Sequence, residues 1–421
     1  MLINIILSKL KTYFLFLVLL MFGTLPLMVT RIFHLSSSTA PGVLILMVFL
    51  FLFVYRFIPR LRKIPKNIFL FFIFSLIYLT IQHLLIGGWD ERAYQSLVLL
   101  IFVFLIAYLS VFLINKINIK ILFDAIKMLV YTLTTIALLN IFTNYKIGIS
   151  FGYAKAVFPF GEPSHFALFS GMFYTAYFIF SKSIVQKALT IVVTTLLAIL
   201  FPNTTMLFFS FLLVLLLVKL NFKNIIIILI SFLVAYNIIL TSDYFLNRIN
   251  ITESSNNLSA LVYLQGIDYS VKSLVNTNGL GLGFQMMGSQ DPSEITKSII
   301  RYLGNPNSDG VNREDGGFLA AKIITEFGLF GIILVLYYLF LFLKAMRYLK
   351  NMAKPNEYNE NFKMLLAYSM IYSFSAYVFI RGIGYFNPSV FIFLVALLYS
   401  LIFDNKKKVT YYNINKKEYI G

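Results

Sequence analysis

Tyr94-Gln-Ser-Leu-Val-Leu-Leu-Ile-Phe-Val-Phe-Leu-Ile-Ala-Tyr-Leu-Ser-Val-Phe-Leu-Ile114 carries no charge over 21 residues, and it sits between Asp90-Glu91-Arg92 and Lys116. A hydrocarbon core about 30 Å thick takes roughly 20 apolar residues of helix to cross, so this run predicts a membrane-spanning helix. Eleven further runs of the same character flank it, giving twelve in all. They cover Thr12 to Thr30, Pro41 to Ile58, Asn67 to Ile86, Ile121 to Thr143, Ser164 to Phe180, Ile184 to Phe201, Thr204 to Val218, Asn224 to Thr241, Gly317 to Leu343, Phe362 to Ile380 and Tyr385 to Phe403. The seventh and eighth runs are separated only by Pro202 and Asn203, a spacing that also suits a hairpin that does not fully cross.

Composition agrees. The 421 residues are 59% hydrophobic and 12% charged, about half the charge of a soluble chain, which excludes disorder and an ordinary soluble enzyme. The absence of cysteine excludes a disulfide framework, a thiolate metal site and a cysteine nucleophile. A net charge of +18 would suit a nucleic-acid partner if it were spread over one surface, but it is not. With the N-terminus inside, 24 of the 35 basic residues fall on inner segments and 12 of the 17 acidic residues on outer ones. That is the positive-inside pattern, so the basic excess reports topology and no nucleic-acid partner is expected. Met1 to Lys11 is too short and too weakly basic for a cleaved signal, so the first helix is expected to be retained.

The expected organisation is an all-α polytopic membrane protein of about twelve transmembrane helices. Residues 1–241 hold helices one to nine, 242–316 a long extracytoplasmic loop, 317–403 helices ten to twelve, and 404–421 a basic cytoplasmic tail, with both termini inside. The loop from Ser242 to Gly316 is the one long polar segment, and long loops in compact proteins usually carry function.

Four constellations lie at the outer side. In Phe158-Pro-Phe-Gly-Glu-Pro-Ser-His-Phe-Ala167, Pro163 suits a first helical turn, which puts Glu162 at the cap and His165 on the same face. Glu162 reads either as a plain cap or, with His165, as a general base or sugar-hydroxyl ligand at the membrane boundary. Within the loop, Leu261, Leu264, Tyr269 and Leu274 suggest an amphipathic helix lying on the membrane surface. Gly279, Gly281 and Gly283 follow it and mark a tight turn, since G-x-G-x-G after no strand is no nucleotide fingerprint.

Asn312 to Gly328 carries Arg313, Glu314 and Asp315 into the tenth helix, then Lys322 and Glu326 four apart. Charges in a membrane helix pair with one another or line a cavity, and both readings stand for these two. Last, Arg381-Gly-Ile-Gly-Tyr-Phe-Asn-Pro388 sets a lone arginine against the positive-inside pattern, beside Tyr385. A guanidinium makes bidentate contacts with phosphate, and two glycines admit a close backbone; a headgroup-snorkelling arginine is the plainer alternative. The sixth, tenth and twelfth helices would all begin on this side, their positive dipole ends facing an anionic substrate. No H-E-x-x-H or D-x-D motif occurs, so no metal or other cofactor is expected.

Gly161-Glu-Pro-Ser-His165, Leu261-Val-Tyr-Leu-Gln-Gly266 with Gly279-Leu-Gly-Leu-Gly-Phe284, Glu314-Asp-Gly-Gly-Phe-Leu319 and Arg381-Gly-Ile-Gly-Tyr-Phe386 together resemble the Wzy-type O-antigen and capsular repeat-unit polymerases, over about Ala156 to Pro388. The resemblance implies a GT-C-like glycosyltransferase of the bacterial inner (cytoplasmic) membrane, acting in lipopolysaccharide or capsule biosynthesis. Donor and acceptor would both be undecaprenyl-diphosphate-linked glycans, with membrane lipid around them and a chain-length regulator and a flippase as partners. Related O-antigen ligases, an alternative activity, carry histidine and asparagine at the end of the loop, where this chain has Asp315-Gly-Gly-Phe318. On the polymerase reading Arg381, Arg313 and Arg248 bind pyrophosphate, and Glu162, His165 and Asp315 are the catalytic candidates. Tyr263, Gln265, Lys322, Glu326 and Tyr385 bind substrate. A lipid-oligosaccharide flippase is the rival of a different class, one expected to place charges and broken helices at mid-membrane.

Overall fold

A computed structural model describes residues 2–31, 33, 39–86, 91–143, 157, 159–218, 257–303, 313–352 and 358–418. The expected ninth span, Asn224 to Thr241, lies outside the described residues, as do most of Asn144 to Pro163 and parts of the long polar segment. Among the described residues the chain forms α1 (Leu2–Arg31), α2 (Ala40–Val54), a 3-10 segment (Tyr55–Lys63), α3 (Lys66–Ile86), α4 (Glu91–Lys116), α5 (Ile119–Thr143), α6 (Pro163–Phe180), α7 (Ile184–Leu200) and α8 (Thr204–Leu217). The loop then contributes α9 (Leu258–Asn276) and α10 (Glu294–Leu303), before α11 (Leu319–Met352), α12 (Tyr358–Ser373), α13 (Ser375–Phe379) and α14 (Pro388–Glu418). One isolated bridge, Val157 with Phe160, is the sole extended pairing among the described residues.

Seven described helical segments are long and apolar enough to cross a bilayer: those within α1, α2 with its 3-10 extension, α3, α4, α5, α11, and α12 with α13. The apolar helices α7, α8 and the Pro388–Asp404 part of α14 are shorter. Large apolar side chains such as Leu84, Val98, Val185 and Phe340 point outward. Exposed apolar faces on helices that satisfy their own backbone are what a lipid surround requires. The protein is an all-α, membrane-embedded bundle.

At its centre stands α6, buried on every side from Phe166 to Phe180. A helix apolar all round has no face to give to water or lipid, so it takes the core. Two of its hydroxyls turn back on their own backbone, Ser170 Oγ donating to Phe166 O at 2.7 Å and Thr175 Oγ1 to Gly171 O at 2.9 Å, while Tyr174 and Tyr177 meet Thr134 and Tyr131 of α5. α7 and α8, counted as two spans or alternatively as one hairpin, pack side by side about Pro202 and Asn203, joined by Ser210 Oγ to Thr194 Oγ1 at 3.0 Å. Asn203 caps α8 through Thr205 N and donates to Pro163 O at 2.6 Å, which brings the hairpin tip to the start of α6.

Two helices depart from the uniform spans expected. α11 breaks at Gly328, whose φ of 57° and ψ of −131° lie outside helical space. The break frees carbonyls that a membrane cannot hydrate, and five donors collect them, Ser273 Oγ on Thr325 O among them. Leu282 N reaches Thr325 O, Gly283 N reaches Glu326 O, Gln82 Nε2 reaches Glu326 O, and Tyr78 OH reaches Phe327 O at 2.8 Å. The glycine turn at 279–283 is therefore a brace for a broken helix. The second departure splits the eleventh run at Phe374, which separates α12 from α13.

α9 forms where an amphipathic helix was expected, but its packing differs from a surface-lying one. Leu261 and Tyr269 are buried, and Ser270 and Ser273 bond Ala321 O and Thr325 O of α11. Ile267, Val271 and Val275 carry the outward apolar stripe instead. α11 offered polar backbone at its break, and the serine face of α9 matches it.

The bundle has two chemically distinct ends. At one, Thr39 Oγ1 donates to Phe386 O at 2.8 Å, Gly382 N to Gly317 O at 2.8 Å, and Arg381 meets Glu162, so the starts of α2, α6, α11 and α14 converge. At the other, Lys363 Nζ and Tyr399 OH both reach Asn115, and Tyr108 OH reaches Arg60 O, which gathers the 3-10 segment with the end of α4 and the start of α12. Arg56, Arg60, Arg62, Lys63, Lys66 and Lys116 all belong to the second end.

Candidate functional site

Glu162 takes the N-cap position of α6 with φ −136° and ψ 146°, and Pro163 follows at the first helical position. The cap geometry was legible from Pro163; the use of the side chain was not. Glu162 makes no side-chain capping bond to α6. Its Oε2 instead accepts from Ser164 Oγ at 3.0 Å and from Arg381 Nη2 at 3.1 Å, with His165 Nε2 at 3.8 Å. Two donors from distant parts of the chain thus meet on one carboxylate oxygen, with the His165 ring beside them. Arg381 is 15% exposed, and its Nε is buried with no acceptor among the described residues. A buried guanidinium donor left unspent is uncommon in a finished core and points to an acceptor supplied from outside. His165 also lines a small open cleft with Pro26, Thr39, Phe160, Ile383 and Asn387.

The turn that carries Arg381 is tightly held. Tyr377, fully enclosed, donates its hydroxyl to Gly384 O at 2.8 Å and accepts from Ile383 N at 3.0 Å, so one side chain closes the loop on both sides. Gly384 has φ 72°, and a β-carbon there would fall 2.5 Å from Asp315 Oδ1. Glycine is needed for the conformation and for the close approach of Asp315. Tyr377 was missed from sequence because a tyrosine in an apolar run looks like core.

Asp315 belongs to a second group. Lys322, with no exposed surface, places Nζ 3.0 Å from Glu326 Oε1, 3.7 Å from Asp315 Oδ1 and 2.5 Å from Glu314 O, and 5.2 Å from the centre of the Tyr385 ring. Glu326 is equally buried and also accepts from Met287 N at 3.3 Å. Lys322 and Glu326 form the close ion pair that one of the two readings expected, while Glu326 Oε2 is buried without a hydrogen-bond partner among the described residues, so the substrate-contact reading also stands. Burial, and then the Glu326 and Asp315 carboxylates, hold the Tyr385 phenol well above its ordinary pKa. Burial likewise raises Tyr263, whose hydroxyl donates to Phe379 O at 3.2 Å while its ring stacks on Phe318 at 4.3 Å.

The remaining candidates divide. Arg313 Nη2 bonds Gln290 O, joining two parts of the loop, and its Nε is buried without an acceptor among the described residues. Gln265 lies apart, enclosed between α9 and α10 with Nε2 on Thr296 Oγ1 at 2.9 Å. Arg248 lies outside the described residues. Two further residues enter that sequence reasoning did not single out: Ser164 on Glu162, and Arg92 at 2.5 Å from Glu314. Ser164 sat inside the quoted motif and could have been found there; Arg92 gave no signal, since its partner is 222 positions away. Among the described residues no group of histidine and carboxylate side chains could hold a metal ion.

The buried pair carries a stability prediction. Lys322→Met leaves Glu326 enclosed without its counter-ion, which is expected to cost about 3–5 kcal/mol. Adding Glu326→Leu should recover much of that, because a volume-matched apolar pair avoids burying the lone charge. Thermal unfolding in detergent checks it, and a double variant no more stable than Lys322→Met would mean that the pair acts as more than mutual neutralisation.

Comparison of the chain with protein families, with curated proteins and with solved structures gives no match.

Proposed function

We propose that the chain is a glycosyltransferase that polymerises lipid-diphosphate-linked oligosaccharide repeats, as the motif resemblance implies. The observation that carries the reading is Arg381: a half-spent guanidinium, paired with Glu162, where the starts of α6, α11 and α14 converge. Helix N-termini bring unpaired N–H groups and positive dipole ends, and with Arg381 they form a cationic frame suited to a diphosphate.

In the reaction, a hydroxyl oxygen of the acceptor glycan attacks the anomeric carbon of the donor sugar. The bond from that carbon to the diphosphate oxygen breaks, and the lipid diphosphate leaves with the electron pair. Neutralising that leaving group is the main demand, met by Arg381, with Arg313 at the loop and Arg248 as further cations. The hydroxyl proton passes to Glu162, with Asp315 and His165 as the neighbouring alternatives. Engagement of Arg381 by phosphate would release Glu162 Oε2 from its ion pair and leave it free to accept that proton. Tyr263, Lys322, Glu326 and Tyr385 then shape the floor beneath the substrate, and Gln265 supports α9. Transfer of the donor glycan to a non-lipid-diphosphate acceptor is the ligase variant of the same chemistry, which Asp315-Gly-Gly-Phe318, without the ligases' histidine and asparagine, does not favour.

One observation favours a second reading. The break of α11 at Gly328, next to the buried Lys322–Glu326 pair, is a feature that transporters place around a moving site. A radiolabelled lipid-linked repeat, supplied to the purified protein in vesicles, separates the two. Chain growth supports the polymerase; a change of sidedness without growth supports a flippase and ends the first reading.

The proposed orientation puts the Glu162–Arg381 end outside, at a bacterial inner membrane, with both termini inside. Reporter fusions at Asn276 or Gly288 should behave as extracytoplasmic, and fusions at Lys63 or Lys116 as cytoplasmic. The reverse pattern would remove the outer-face site.

A further inference from the structure

At the end of the bundle remote from Arg381, the 3-10 segment Tyr55–Lys63 and its continuation to Lys66 expose Arg56, Arg60, Arg62, Lys63 and Lys66. Three of the cations at this end are fixed against aromatic rings. The Arg56 guanidinium lies 5.1 Å and the Lys116 ammonium 5.0 Å from the same Phe57 ring centre, while Arg60 sits 5.8 Å from Phe112. Phe57 itself is buried, and Arg60 O accepts from Tyr108 OH at 3.3 Å, so the segment is anchored to α4 by ring and by backbone. None of Arg56, Arg60, Arg62, Lys63 or Lys116 forms an ion pair with a carboxylate among the described residues. Contrast the other end, where Arg92, Lys322 and Arg381 each have a carboxylate partner.

Cations held close together, without counter-charge, repel one another, and an anion bound among them relieves that repulsion. What surrounds the cluster says which anion. Leu52 and Tyr55 on one side and Phe69, Leu70 and Phe71 on the other are 51–62% exposed, immediately next to the basic residues. A soluble phosphate gains nothing from those apolar faces. An amphiphile with a phosphate head gains both, its head on the cations and its chains along α2 and α3.

We propose that Arg56, Arg60 and Lys116, supported by Arg62 and Lys63, form a binding site for the headgroup phosphate of an anionic phospholipid, separate from the Arg381 site at the opposite end. Its spacing matches the general rule that several basic residues directly after a membrane helix recognise anionic lipid. The site does not depend on the glycosyltransferase reading.

The test uses the full chain purified in neutral detergent and titrated with dioleoyl phosphatidylglycerol, dioleoyl phosphatidylcholine or inorganic phosphate. Bound lipid is read by native mass spectrometry and the melting temperature in parallel. Phosphatidylglycerol should be retained and raise the melting temperature, whereas phosphatidylcholine and inorganic phosphate should do neither. Combined Arg56→Gln, Arg60→Gln and Lys116→Gln should weaken retention roughly 100-fold, following the usual gain per basic residue near an anionic surface. A control with Lys272→Gln, Lys297→Gln and Arg301→Gln removes the same charge from the loop and should leave retention unchanged. Should the first triple variant fold poorly, Arg62→Gln with Lys63→Gln, which disturbs no ring contact, should still weaken retention roughly tenfold or more. Equal loss in the control, unchanged retention in both patch variants, or equal stabilisation by inorganic phosphate would overturn the proposal.

Discussion

Arg381→Ala is expected to lower the rate of chain growth by about 10²–10³-fold, the usual loss when a preorganised charge is removed from a developing anion. The geometry explains why the loss should be large. Arg381 is held by Glu162 at 3.1 Å, its turn is closed by the two Tyr377 hydrogen bonds, and its Nε remains unspent. A guanidinium paired with Glu162 on a closed turn is preorganised for the developing charge. Arg381→Lys should retain part of the activity, because an ammonium supplies charge without the planar fork. Polymer length and initial rate, measured at matched protein level, check both. Undiminished long-chain polymer from Arg381→Ala would return this residue to the role of a snorkelling arginine, with Glu162 as its structural partner.

Glu162→Gln is expected to cut turnover by about 10² or more, within the range for loss of a general base. Glutamine keeps the size and one oxygen for Ser164 but cannot take a proton. Glu162→Ser supplies a good helix cap and no carboxylate, so it separates the two readings that the sequence left open. Since Glu162 makes no capping bond to α6, serine should not rescue activity, and aspartate should recover a little. Substituting Arg381 and Glu162 singly and together adds a second measure. Their contact predicts non-additivity of about 0.5–3 kcal/mol in the activation free energy. If glutamine and serine both support normal chain length, the base must be sought at Asp315, which is 31% exposed beside Lys322, or at His165.

How much of this was legible beforehand follows from the range of the interactions involved. The Tyr94 to Ile114 run, the Pro202-Asn203 turn and the α6 start at Pro163 could be read directly, since hydropathy, turn chemistry and proline geometry act over a few residues. The i,i+4 pairing of Lys322 with Glu326 was readable for the same reason, as both lie on one helix face. The glycine turn was visible as a turn, but its purpose was not, because the carbonyls it satisfies belong to a helix that breaks more than 40 residues later.

By itself, then, the sequence determined the membrane class and the long apolar helices that the described residues show, both consequences of local transfer free energy. Tertiary structure alone decided that Glu162 faces Arg381 across 219 positions, that Tyr377 locks the arginine turn, and that the apolar stripe of α9 is Ile267, Val271 and Val275. Each of those depends on which backbone carbonyl or charge another helix presents, and in a medium without water every such group must find its partner within the protein. That requirement fixes the partners uniquely, but it acts between helices whose order in space no local pattern encodes.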